Sequence, residues 1–257
     1  MNSLKIIKMN KKAIARAFGR AAKNYDNIAI FQQQSGQHLF DCVSERSGDI
    51  VLDAGCGTGY FSDQWQLAGK YVIALDISES MLSIAQQKQT AITYIQGDME
   101  YLPLKDKSVD LCFSHLAIQW CSNLYTPLSE LYRITKRGGI VAFSTLVDGS
   151  LKELKQSWKK VDNNSHINSF MTFNQIKMTC KYWPHSLEQQ SWQLTYPSFG
   201  CLLKSLKGIG ATYLVKRRQD HGLMTKKRLT ELVNHYPNNG HQFPLTYQVV
   251  FGILYCE

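Results

Sequence analysis

Four short motifs place carboxylates and glycines where a small, partly cationic ligand could be held. The first is Asp53-Ala-Gly55-Cys56-Gly57-Thr-Gly59, directly after the apolar run that begins at Asp49. Glycines let backbone approach a ligand closely and set a helix N-terminus beneath it. A dinucleotide fingerprint would need a last glycine at position 60 or 62, and Tyr60 and Ser62 stand there. Asp53 would repel a pyrophosphate but suits an ammonium group. The second motif is Asp76-Ile77, with Asp76 placed 23 residues after Asp53, where a carboxylate can accept from both hydroxyls of a ribose. The third is Asp98-Met99: the carboxylate can accept from an exocyclic adenine amine while the thioether lies on the ring face. The fourth is Ser114-His115. A ligand that asks for ammonium, ribose and adenine partners in that order is S-adenosylmethionine.

These motifs need elements to position them, and the pattern supplies strand ends. Asp49–Ala54, Tyr71–Asp76, Ile92–Gln96 and Val109–Ser114 read as strands, each ending in one motif, and Ile140–Leu146 reads as a fifth. Helices are predicted over Thr58–Leu67, from an N-cap at Ser78 through Gln89, and over Leu124–Thr135 closed by Gly138-Gly139. Strands alternating with helices imply βαβ units. The fold expected is α/β: a Rossmann-like, seven-stranded, mostly parallel sheet with helices on both faces. Residues 1–46 read as a helical lid and 47–147 as the ligand-binding core. Residues 148–240 read as a helical cap with one strand, Trp192–Tyr196, in which 148–190 is mostly helical and Phe199–Ile209 and Thr225–His235 are further helices. Residues 241–257 end the chain with a strand over Pro244–Tyr255.

Composition narrows the function classes. A chain of 257 residues with 44% hydrophobic residues can bury a core, and with no apolar run of 18 it predicts no membrane span. Seven cysteines, an odd number with no C-x-x-C, point to reduced thiols and a cytoplasmic setting. No H-x-x-x-H or H-E-x-x-H occurs, so no metal is expected. G-x-S-x-G is absent too, which leaves a Ser-His-Asp hydrolase without support. The formal charge of +9 favours an anionic partner. An acidic protein suits it better than nucleic acid, because basic residues here are scarcely interleaved with aromatics; Tyr213 beside Lys216–Arg218 is the exception.

The chain resembles the class I S-adenosylmethionine-dependent methyltransferases in Val51–Gly59, Leu75–Ser78, Gly97-Asp98 and Gly138-Gly139. In Ala17–Asp26, Ser114–Cys121, Ser205–Thr212 and Pro244–Tyr247 it is similar to the malonyl-acyl carrier protein O-methyltransferases of biotin synthesis. That resemblance implies methylation of the free carboxyl of a malonyl thioester, with S-adenosyl-L-methionine as donor and an acidic carrier protein as partner. Expected donor contacts are Asp53, Gly55, Cys56 and Gly57, then Asp76, Ile77, Asp98, Met99 and Ser114, with Arg20 and Tyr25 from the lid. Phe18, His115 and Trp120 are expected beside the acceptor, with Lys207 and the amides of Gly208 and Gly210 aiming its carboxylate. A carboxylate with a pKa of roughly 4 is already ionised, so no general base is expected. The basic run Lys204, Lys207, Lys216–Arg218 and Lys226–Arg228 is the expected docking face. Two alternatives stay open: a methyltransferase for another small carboxylic acid or a quinone precursor, and a binding module that keeps only a degenerate donor site.

Overall fold

Apolar runs bounded by glycine or polar turns become seven strands of one sheet in the computed structural model, which describes residues 9–46, 48–88, 91–210, 213–214, 225–238, 240 and 242–257. The strands are β1 (Ile50–Ala54), β2 (Tyr71–Asp76), β3 (Thr93–Gln96), β4 (Val109–Ser114), β5 (Thr135–Leu146), β6 (His185–Tyr196) and β7 (Phe243–Tyr255). Their order is β3-β2-β1-β4-β5-β7-β6. Strands β1 to β5 pair in parallel, while β7 pairs antiparallel with both β5 and β6. The expected seven-stranded, mostly parallel sheet is therefore present. The helices are α1 (Lys11–Ala21), α2 (Tyr25–Ile28), α3 (Ile30–Asp41), α4 (Tyr60–Leu67), α5 (Glu79–Lys88), α6 (Tyr125–Ile134), α7 (Lys152–Val161), α8 (Phe173–Cys180), α9 (Phe199–Gly208) and α10 (Lys226–His235).

Alternation along each strand divides the core in two. Val51, Phe113 and Val249 face one cluster, filled by Phe31 and Leu39 of α3, Trp65 of α4, Trp158 of α7 and Leu202 of α9. Leu52, Cys112 and Val250 face the other, filled by Leu128 and Leu131 of α6 and Ile176 of α8. Strands covered on both faces read as unbroken apolar runs, which is why β1 and β4 were legible. Asp53 shares the parity of Val51, so its carboxylate points toward α4. Ser78 caps α5, accepting from the Met81 amide at 3.4 Å, as its sequence position implied. No helix among the described residues is long and apolar enough to cross a membrane.

Three boundaries differ from the sequence reading. Strand β6 begins at His185, seven residues before the predicted Trp192, so Leu187–Gln190 is strand and not helix. Its polar, Glu- and Gln-rich sequence favours a helix locally, but pairing with the whole of β7 overrides propensity at a half-exposed edge. Strand β5 begins at Thr135, directly from the end of α6, so Gly138-Gly139 does not close that helix. The pair marks a register shift against β4. Gly139 is there because a Cβ would lie 2.3 Å from the Asp110 carbonyl oxygen. Within 148–190 the helices are α7 and α8 only.

Gly252 lies opposite Phe143 in β5 and Leu187 in β6. A Cβ there would come within 2.3 Å of the Phe143 ring and 3.0 Å of Leu187 Cδ2. Gly252→Ala should therefore cost about 1–3 kcal/mol by overpacking, read as a lowered urea midpoint, and Phe143→Leu should restore part of it.

Candidate active site

A cavity opens at the carboxyl ends of the parallel strands, beside the point between β1 and β4 where the strand order reverses. That is where an open α/β sheet presents its ligand site. The glycine loop forms its floor. The Gly55 and Cys56 amides donate to the Leu75 carbonyl at 2.7 and 3.0 Å, and the Gly57 amide donates to Asp76 Oδ2 at 2.9 Å. Gly55 and Gly57 both have positive φ, 80° and 56°, a region that side chains disfavour. Gly55 has a second reason to be glycine, since a Cβ would lie 2.3 Å from that of Ala117. The loop thus packs directly on the turn that follows β4.

The carboxylates stand as the sequence placed them. Asp53 lines the cavity, is buried, and accepts from Ser62 Oγ at 2.6 Å. Burial pushes its pKa up to about 7, with neighbouring Asp76 and Asp63 adding to the shift against the Ser62 hydrogen bonds. Asp76 is also held above the usual carboxylate range by burial, although it accepts from Ser78 N at 2.7 Å as well as from Gly57. Ile77, Asp98, Met99, Cys56 and Tyr25 line the same space. Burial drives the Cys56 thiol well above its ordinary pKa, so it is neutral wall and not a nucleophile.

Lys11 is a residue the sequence reading missed. Its ammonium bonds Asp98 Oδ1 at 3.0 Å and pairs more closely still with Glu100. Asp98, Glu100 and Cys121 are grouped tightly enough to hold a cation, and Lys11 fills that place. The signal was available: Lys11, Ile14 and Phe18 fall on one face of α1, so a charge stands on its apolar stripe.

The turn after β4 forms the opposite wall. Ser114 does not reach the cavity; it is fully buried and donates to the Ala54 carbonyl at 2.9 Å, stapling β4 to β1. His115 does line it, with Nδ1 2.7 Å from Ser144 Oγ and Nε2 3.3 Å from Ser35 Oγ. Ser35 gives its hydrogen to the Phe31 carbonyl, and Ser144 accepts from the Leu116 amide. His115 therefore donates from Nε2 and accepts at Nδ1, and burial lowers its pKa to about 3. Leu116 has a φ of 48°, an uncommon and strained conformation for a branched side chain, held here by its bond to Ser144. Trp120 meets Phe18 of α1 edge to face at 5.3 Å, joining the N-terminal helices to the turn. Gln119, which the sequence analysis gave no role, also faces the cavity, as do Tyr247 of β7 and His166 and Asn168 of the 162–172 segment.

Four expected contacts lie elsewhere. Arg20 is on the exposed face of α1 and does not line the cavity. Lys207 is exposed, whereas Leu206 of α9 and Ile209 just after it turn toward the cavity. Gly208 and Gly210 are packing glycines. Cβ atoms there would meet Ile28 at 2.5 Å and the Phe18 backbone at 2.9 Å, and the Gly210 amide is spent on the Lys207 carbonyl. Lys204, Lys226 and Lys227 are exposed, whereas Arg228 pairs with Asp162. Ala211, Thr212 and Lys216–Arg218 lie outside the described residues.

Known proteins resemble this chain in sequence and in fold. Residues 52–143 match the family model described as "Methyltransferase domain". The chain is 47% identical over 251 residues to the malonyl-acyl carrier protein O-methyltransferase of Yersinia pestis, covering 98% of this chain and 94% of that protein. The enzyme of the same name from Serratia marcescens is 47% identical, with 97% of each chain covered. The chain belongs to the malonyl-acyl carrier protein O-methyltransferase family. Among solved structures, the YcgJ protein of Bacillus subtilis superposes with a TM-score of 0.62 at 17% identity, covering 88% of this chain and 99% of that one, a likeness of fold. Within the family frame the segment matched by the domain model runs from Leu52 to Phe143. It contains the glycine loop together with Asp53, Asp76, Asp98 and Glu100.

Asp53 makes a prediction without any ligand. The unfolded chain ionises this group near pH 4, the folded protein near 7. Folded protein thus binds the extra proton between those values, and stability should fall as pH rises through that window. In thermal melts of ligand-free protein between pH 5 and 8, Asp53→Asn should flatten that decline; an unchanged slope would mean Asp53 is ionised throughout.

Proposed function

We propose that this enzyme transfers the methyl group of S-adenosylmethionine to the free carboxylate of a malonyl thioester carried by acyl carrier protein, at the start of biotin synthesis. The observation that carries this reading is full-length similarity to enzymes of that name, joined to a cavity whose β1 and β2 ends present carboxylates to a cationic donor. Asp53 would accept from the donor's ammonium group, Asp76 from its ribose hydroxyls, and Asp98 with Met99 would hold the adenine. Gly55, Cys56 and Gly57 form the floor under it, Ile77 lies beside Asp76, and Tyr25 closes the lid side. The free thiols of all seven cysteines fit a cytoplasmic setting.

The donor supplies an electrophilic methyl on a sulfonium. The acceptor carboxylate attacks that methyl as the carbon–sulfur bond breaks, so an anion and a cation neutralise one another. Charge is lost on the way to the transition state, and a site drier than water lowers the barrier by not stabilising the separated ions. Phe18, Trp120, Phe31 and Tyr247 keep that site apolar, with the Phe31 and Tyr247 rings stacked at 3.9 Å. His115, neutral and with both nitrogens committed, orients the wall and takes no proton. Mass spectrometry of malonyl-carrier protein incubated with enzyme and donor should show the gain of one methyl group. Single-turnover rates with donor bound should be flat between about pH 6 and 9.

A second reading has one observation behind it. At the cavity wall His166 is 2.8 Å from Asp162 and stacks on Trp158, an arrangement that a phenol or amine acceptor could use as a base. A rate that climbs with pH, and is lost in His166→Asn, would favour it.

The carrier protein should dock on exposed Lys204, Lys207, Lys226 and Lys227. Such patches govern encounter more than affinity. Reversing Lys226 and Lys227 to Glu should raise KM for the loaded carrier severalfold, shrink its salt dependence and leave donor affinity unchanged. Arg228 is left out of that test because its pairing with Asp162 is structural.

A further inference from the structure

The acceptor's carboxylate needs a partner, and Lys207, the cation expected to provide it, does not face the cavity. Arg20 and Lys207 point away, and Lys11 is committed to Asp98 and Glu100. His115 is neutral with its nitrogens occupied. Gln119 is different. Strand β4 stops at Ser114, opposite Phe143, while β5 continues to Leu146. The Leu146 amide therefore has no strand partner on that side, and Gln119 Oε1 accepts from it at 2.9 Å, with Thr145 Oγ1 adding a longer contact at 3.5 Å. An N–H donor requires the amide oxygen, so the orientation of this side chain is fixed and its two Nε2 hydrogens are directed away from β5. No described residue accepts from them, and Gln119 lines the cavity. The turn that carries it touches the floor of the donor site, since Ala117 abuts Gly55.

We propose that Gln119 is the specificity-determining residue for the acceptor: its clamped amide donates to the free carboxylate of the malonyl group and aims the other oxygen at the methyl. This rests on the malonyl reading above. A neutral donor suits the reaction better than an arginine or lysine. A cation would stabilise the carboxylate most in the ground state, where its charge is whole, whereas an amide orients it at less cost to its nucleophilicity.

The experiment uses the full chain with malonyl- and acetyl-loaded carrier protein, the latter lacking only the carboxylate. Wild type should bind the malonyl form more tightly than the acetyl form. Gln119→Leu should lose that preference and roughly ten- to hundredfold in kcat/KM, the loss expected for one hydrogen bond to a charged group, while donor affinity measured by calorimetry stays the same. Gln119→Glu keeps an oxygen for the Leu146 amide and so preserves the fold, but sets a carboxylate against the substrate's. It should be nearly inactive at pH 8 and regain activity as pH falls and its carboxyl protonates, an acid limb absent from wild type. If Gln119→Leu fails to fold, the pH profile of Gln119→Glu decides alone. Retention of the malonyl preference, or a wild-type pH profile in Gln119→Glu, overturns the assignment. Wild type that does not methylate malonyl-carrier protein at all overturns the underlying reading instead.

Discussion

Two backbone amides converge on one half-buried carboxylate, and the site is organised around that junction. Asp76 ends β2, accepts from Gly57 in the loop after β1, and accepts from Ser78 at the start of α5. A carboxylate accepting backbone bonds in a poorly solvated place fixes both loops at once, because leaving either amide unpaired would cost on the order of 1–3 kcal/mol. In the same loop Gly55 and Gly57 take positive φ values, and Gly55 packs on Ala117, which joins the donor floor to the turn after β4. One side chain thereby places the two halves of a methyl-transfer site relative to each other.

The electrostatics are graded along the same line. Asp53 and Asp76 are raised by burial, whereas Asp98 is engaged with Lys11. The β1 and β2 end of the cavity can thus accept positive charge, and the β3 end already has its own. Toward β5 and β7 the wall is aromatic and neutral. Under the proposed function a cationic nucleoside and an anionic acceptor share one continuous cavity whose charge changes from end to end.

How much of this the sequence disclosed depends on how local the cause was. Strands β1, β2 and β4, with the motifs at their ends, are apolar runs closed by turn residues, so pattern alone located Asp53, Asp76 and Asp98. Seven strands and their mostly parallel arrangement followed. The first half of β6 was missed because its stability comes from β7, some sixty residues away, and its own glutamines and glutamate argue for a helix. Lys207, Gly208 and Gly210 were misjudged for a related reason. Only the packing of α9 on Ile28 and Phe18 shows which of its faces turns inward. Ser114 was assigned to the ligand on position alone, and one hydrogen bond to Ala54 explains it instead. Gln119 had no periodic signal, since its role depends on β4 ending three residues before β5.

The N-terminal helices are fastened at their edges by side-chain bonds, one largely buried and one half-exposed. Lys11 fixes one side to Asp98 and Glu100. On the other side Asp26 of α2 meets Thr58 of the glycine loop and Lys88 of α5. Ion pairs as exposed as Lys88–Asp26 contribute at most about 1 kcal/mol each. A substrate tethered to a protein cannot diffuse wholly into a closed chamber; it arrives at the end of a flexible arm whose other end stays outside. Under the proposed function that arm has to pass the edge that these fastenings hold, so the chamber serves as a sleeve around a tether, not as a sealed box.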